Sequence, residues 1–77
     1  MKTIVAEVCV KKDNKILIVE ENRKDKKGKW NMPAGKLEEN EDIITTAIRE
    51  VKEETNIDII SKDLYISKKK YHLLVNY

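Results

Sequence analysis

Residues Gly35 to Ile57 read GKLEENEDIITTAIREVKEETNI, and this stretch decides the fold of the chain. Its apolar residues Ile44, Ala47, Ile48 and Val51 recur at i, i+3, i+4 and i+7, the period of one buried helix face. The helix is expected over Glu41 to Thr55, with Asn40 as N-cap and Glu41 and Asp42 in its first turn. Asn56 stands where a left-handed C-cap ends such a helix. At about 100° per residue from Ile44, Glu50, Glu53 and Glu54 fall near about 240°, 180° and 280°, away from the apolar stripe. Three carboxylates on one side of a helix repel one another, so a cation over them is the expected compensation.

Outward from the helix, the N-terminal segment reads as strands. Thr3 to Val10 is rich in β-branched residues, and Asp13-Asn14-Lys15 supplies a turn back to Ile16–Glu20. The unbroken apolar run Ile16-Leu17-Ile18-Val19 predicts a central strand covered on both faces. Glu21 to Lys29 is a polar loop containing Arg23, Lys24, Lys26, Lys27 and Lys29, either solvated or gripping a polyphosphate. Trp30-Asn31-Met32-Pro33-Ala34-Gly35 predicts a tight bend, restricted at Pro33 and made permissive at Gly35, that could lay carbonyls beside the acidic helix. Trp30 is either an anchor of loop to core or a stacking surface. After the helix, Ile57 to Ile60 and Asp63 to Ile66 are short apolar stretches, Ser67 to Lys70 reads as a turn, and Tyr71 to Tyr77 as a last strand.

Composition narrows the function classes. Sixteen Lys and Arg against fourteen Asp and Glu give a net charge of +2, too balanced to make nucleic acid or membrane the main partner. No apolar stretch has the length of a membrane span, and Met1-Lys2 leads straight into a strand-like segment. The single cysteine, Cys9, excludes an internal disulfide; a buried strand thiol in a reducing, cytoplasmic compartment is the expectation. His72 has no second histidine to build a metal or catalytic pair and reads as structural. At 77 residues the chain holds one small domain, burying about 60% of its unfolded surface.

The acidic stretch resembles a known motif. Gly35, Glu41, Arg49, Glu50, Val51, Glu53, Glu54 and Ile57 match the Nudix box, G-x5-E-x7-R-E-U-x-E-E-x-G-U with U aliphatic; Asn56 replaces the last glycine. Shuffling this composition would reproduce the six polar positions in roughly one sequence in 10⁵. The entry Trp-x-x-Pro-Ala-Gly, with Leu37 and Glu38 in the following loop, is similar to small MutT-like phosphatases acting on nucleoside di- and triphosphates and on thiamine-pathway pyrophosphates.

The resemblance implies an α/β fold, a Nudix-type α/β/α sandwich with a mixed sheet, present over residues 1–77 as a single partial domain that stops after the Nudix helix and the following strands. It implies hydrolysis of a pyrophosphate bond in a nucleoside di- or triphosphate, or a nucleoside diphosphate derivative, dependent on Mg²⁺ or Mn²⁺. The metal ligands would be Glu50, Glu53, Glu54 and the carbonyl of Ala34, a hard oxygen set suited to such ions. The catalytic set would be Glu53, orienting or deprotonating the attacking water, with Glu50 and Arg49. Arg49 would pair with Glu41 and neighbouring glutamates to fix helix and loop, and Gly35 and Glu41 would be structural. Lys36, Arg23 and Lys29 are candidate phosphate contacts. The missing half implies a truncated product, a split gene, or a protomer whose sheet a second copy or another chain completes. A catalytically inactive fragment that binds metal, nucleotide or protein is the alternative, and a chance acidic helix on a small β protein is the third reading.

Overall fold

The computed structural model describes residues 3–20, 28–67 and 72–76. Strand β1 (Val5–Lys12) is the hub of a mixed sheet. It turns at Asp13, whose φ of 55° is one a short polar side chain tolerates, into β2 (Lys15–Ile16), pairing Lys12 with Lys15. The other end of β1 pairs antiparallel with β5 (Ala34–Lys36), Ala6 opposite Gly35. Along its second edge runs β7 (His72–Asn76), parallel, with Val8 opposite Leu73 and Val10 opposite Val75. Strand β6 (Leu64–Ile66) closes that side antiparallel to β7, entered through a 3₁₀ turn over Ser61–Asp63. A separate two-stranded ribbon joins β3 (Val19–Glu20) to β4 (Trp30–Asn31).

One face of the sheet carries the core. Strand alternation sends Ala6, Val8 and Val10 to the same side as Leu73, Val75 and Leu64, and helix α1 (Ile43–Thr55) lays Ala47 and Val51 upon them. Ile43, Ile44 and Ile48 are partly buried around this cluster, so the stripe expected from Ile44, Ala47, Ile48 and Val51 is the packed face. The helix is full of β-branched residues and draws its stability from this packing rather than from propensity. Burying a Val or Leu contributes about 1.5–3 kcal/mol each, and Val8, Val51, Leu73 and Val75 are all fully enclosed.

The helix begins two residues later than the sequence suggested. Asn40 has φ 67°, whereas an N-cap needs an extended backbone; Asp42 supplies it at φ −93°, ψ 172°, its carboxylate accepting from Thr45 N–H at 2.7 Å. Glu41 lies outside the helix, not in its first turn. The far end follows expectation: Asn56 adopts φ 64°, ψ 14°, and donates its N–H to the Lys52 carbonyl at 2.9 Å.

The expected central strand over Ile16–Val19 is not formed. β2 lies at the edge of the sheet, β3 leaves it for the ribbon, and Ile16 and Ile18 are exposed. An unbroken apolar run does not distinguish a strand covered twice from a segment that changes partners halfway, and here Leu17 alone turns inward against the core. Trp30, 59% exposed on β4, does not anchor the loop in the core. The sheet face away from α1 holds Val5, Glu7, Cys9, His72, Leu74 and Tyr65, and the described residues place no helix over it. Cys9 there is half-buried rather than enclosed, and His72 Nδ1 lies 3.3 Å from Glu7 Oε1 across the parallel pair. Of the polar loop, Arg23, Lys24, Lys26 and Lys27 lie outside the described residues.

Candidate active site

The site grows from the corner where β5 meets α1. One residue before the helix N-cap, Glu41 turns its carboxylate inward and is only 14% exposed. Its Oε1 accepts from the Glu38 N–H at 2.9 Å, the Thr46 hydroxyl at 2.8 Å and Arg49 Nη2 at 2.9 Å; its Oε2 accepts from Arg49 Nε at 2.7 Å. A carboxylate held by a bidentate guanidinium and a backbone N–H strongly prefers to be ionised. Arg49 first, then the Glu38 amide, hold the Glu41 pKa down at about 2. In return Glu41, and after it Glu50 and Glu53, push the Arg49 pKa further up. The pairing of Arg49 with Glu41, expected from the sequence, ties the loop before the helix to the helix's second half.

Arg49 also reaches the strand. Its Nη2 donates to the Lys36 carbonyl at 3.0 Å, and Nη1 lies 2.5 Å from Glu50 Oε1, 3.3 Å from Glu53 Oε1 and 3.3 Å from Glu38 Oε1. Every N–H of this guanidinium faces an oxygen.

Gly35 makes the corner possible, for a reason other than the one the sequence suggested. Its φ is not positive; among the described glycines only Gly28 has that conformation. A Cβ built on Gly35 would overlap the Glu50 carboxyl group, so the missing side chain is the space in which Glu50 lies. Glu50 is accordingly 15% exposed, whereas Glu53, one turn on, is 56% exposed. Glu54 is exposed on the same helix.

The carbonyl of Ala34 follows from the register. Val8 N–H donates to Pro33 and Leu37 N–H to Ile4, so Ala6 and Gly35 form the hydrogen-bonded pair between them, and the carbonyls of Ala34 and Lys36 both point away from β1. The Lys36 carbonyl is the one Arg49 takes; that of Ala34 is presented along the same edge. The Lys36 side chain, opposite Val5 in the register, leaves on the face turned away from Glu50, and Lys29 is exposed beside β4. Neither is drawn into the corner. Arg23 lies outside the described residues.

For a divalent metal, the donor set fits in chemistry: three carboxylates within two turns, a strand-edge carbonyl, and a cradle over Gly35 sized for a carboxylate. The side-chain arrangement is a different one. Glu50 and Glu53 both turn to Arg49, and among the described residues no three acidic, histidine or cysteine side chains converge as a metal cluster.

Two residues of this corner escaped the sequence reading. Thr46, fully buried, bridges Glu41 and the Asp42 carbonyl, and Glu38 adds a third carboxylate at Arg49 Nη1. Thr46 sits three residues before Arg49, on the same helix side, and that spacing was the available signal.

Comparison with known proteins bears on the fold and the family. A crystal structure of a MutT/nudix family protein from Enterococcus faecalis superposes at a TM-score of 0.79, covering all of this chain and 36% of that one at 20% identity, which establishes the likeness of fold. An 8-oxo-dGDP phosphatase of Danio rerio is 40% identical over 71% of this chain and 17% of its own length. A methanol dehydrogenase activator of Bacillus methanolicus is 42% identical over 82% of this chain and 35% of its own. The chain thus spans about a third or less of the relatives it matches. The NUDIX domain family matches residues 1–75, nearly the whole chain, and the chain belongs to that family.

Proposed function

We propose that this chain carries the catalytic corner of a Mg²⁺- or Mn²⁺-dependent hydrolase that cleaves a pyrophosphate bond in a nucleoside di- or triphosphate, or in a nucleoside diphosphate derivative. The observation that carries the reading is the Glu50 carboxylate seated where a Gly35 side chain would be, with its neighbour Arg49 locked onto Glu41. Glu50, Glu53, Glu54 and the Ala34 carbonyl would hold the ion, which when bound neutralises charge on the diphosphate oxygens. Glu53, the most exposed partner of Arg49 on the helix, orients or deprotonates the attacking water. Arg49 and Glu41 keep helix and strand edge in register. Lys29 and Lys36, which the fold does not draw into the corner, stay candidate phosphate contacts on their charge alone. The relationship to an 8-oxo-dGDP phosphatase supports a nucleotide as substrate. The lone Cys9 supports a reducing, cytoplasmic setting, and the open sheet face supports a second copy or a complementing chain as partner.

The test is release of phosphate or pyrophosphate from a nucleotide panel that includes 8-oxo-dGDP, with Mg²⁺ or Mn²⁺ and with chelator. Turnover that needs the ion and falls about 10²-fold or more in Glu53→Gln is the expected result. Folded protein that turns over no substrate, or turnover indifferent to Glu53→Gln, overturns the assignment.

A further inference from the structure

The guanidinium of Arg49 has two unlike edges. On one, Nε and Nη2 offer three N–H groups to three oxygens: both of Glu41 and the Lys36 carbonyl, at 2.7, 2.9 and 3.0 Å. That edge is saturated and its acidic partner is nearly enclosed. On the other edge Nη1 has two N–H groups and three carboxylates around it, from Glu50, Glu53 and Glu38. Glu53 and Glu38 are mostly exposed, and both contacts are 3.3 Å long. One edge is a fixture and the other is shared.

We infer that Arg49 Nη1 is a built-in counter-ion, which occupies Glu50 and Glu53 in the metal-free protein and must surrender them before a divalent cation can be held. This rests on the proposed metal dependence. An oxygen that accepts from Nη1 has its lone pairs turned to one positive charge, and a cation at the same oxygen meets both the lost hydrogen bond and the repulsion of the guanidinium. The two are therefore coupled negatively: whatever Nη1 gains from Glu50 and Glu53 is subtracted from metal binding, and the reverse holds equally. The Glu41 edge keeps Arg49 in place during the exchange, so helix and strand stay joined while the acidic face opens. This accounts for Glu50 and Glu53 both turning to Arg49 although their chemistry fits a divalent ion. Without Nη1, Glu50, Glu53 and Glu54 would repel one another across one helix side.

Arg49→Lys removes the shared edge while keeping a cation for Glu41. A lysine keeps one positive charge for Glu41 but is a point donor, without the fork that serves both edges at once. Mn²⁺ binding, measured by titration calorimetry with the metal alone, is expected to tighten about threefold or more in Arg49→Lys, the size of a released, partly exposed ion pair. Equal or weaker binding in Arg49→Lys, with the unaltered chain binding Mn²⁺, overturns this inference and leaves the proposed function standing. No Mn²⁺ binding by the unaltered, folded chain overturns both. If Arg49→Lys fails to fold, nitrogen NMR of the unaltered chain decides. Mg²⁺ is expected to shift the Arg49 Nη1 signal and leave Nε in place; unchanged Nη1 with bound Mg²⁺, or joint movement of both nitrogens, overturns the exchange.

Discussion

The two faces of the sheet obey the same alternation and end in opposite circumstances. Toward α1, β1, β6 and β7 contribute small or branched apolar side chains that cluster together, and the polar groups at the margin are satisfied by the Arg49 network. Away from α1, the same strands offer Val5, Cys9, Leu74 and Tyr65, with Glu7 and His72 among them, to no described helix. The difference teaches where the candidate site is held: the covered face supports the acidic corner, because the helix that completes the core is also the one carrying Arg49, Glu50 and Glu53.

The sharpest way to break this comparison is to empty the covered face. Leu73→Ala removes a fully buried side chain from beneath α1 and is expected to cost about 2–5 kcal/mol in urea unfolding, enough to unfold much of a domain this small. A cost below about 1 kcal/mol would mean that Leu73 does not share one core with α1.

Gly35→Ala follows. The added methyl meets the Glu50 side chain, and overpacking of this kind costs about 1–3 kcal/mol unless Glu50 swings away. Either escape is measurable: lost stability, or retained stability with Glu50 displaced and any metal-dependent turnover abolished. A variant with unchanged stability and unchanged turnover would remove Gly35 from the account of the site.

Acid probes the margin of the covered face. Because the Glu41 pKa is lowered from 4.5 to about 2 by Arg49 and the Glu38 amide, its contribution is present above the unfolded value and is lost as pH falls from about 4.5 toward 2. Asp42, lowered by its cap bonds to Thr45, acts in the same direction. Melting temperature is expected to drop across that window, and Glu41→Gln to flatten the drop while lowering the neutral-pH plateau. An unaltered slope in Glu41→Gln would show that the loop and helix are not joined through this carboxylate.

Much of this was legible from the chain alone, and what was not has common causes. The helix showed itself through the spacing of Ile44, Ala47, Ile48 and Val51, and its end through Asn56, because periodicity and capping are local. The family motif disclosed the Arg49 and Glu41 pairing. The start of the helix did not show, because Asn40, Glu41 and Asp42 are all acceptable near an N-terminus and only the long-range pull of Arg49 on Glu41 selects Asp42. The role of Gly35 was hidden for a similar reason: the residue against it, Glu50, is fifteen positions away. Ile16–Val19 misled because hydrophobicity records a need for cover and not which elements supply it.

The open face gives the smallest expected effect and the most discriminating one. Tyr65 is 61% exposed on β6, opposite Leu74, and a surface substitution there changes stability by about 0.5 kcal/mol or less when nothing covers it. For the chain with nothing over this face, Tyr65→Ser unfolds with the unaltered chain, at a midpoint independent of protein concentration. Should a second copy lie over Val5, Leu74 and Tyr65 in solution, burial would make the substitution cost more, and the midpoint would rise with concentration because association stabilises the folded state by mass action. Unfolding at two concentrations, with and without Tyr65→Ser, thus separates a face left to water from a face that waits for a partner. A concentration-dependent midpoint that Tyr65→Ser abolishes would erase the contrast between the two faces, since both would then be cores.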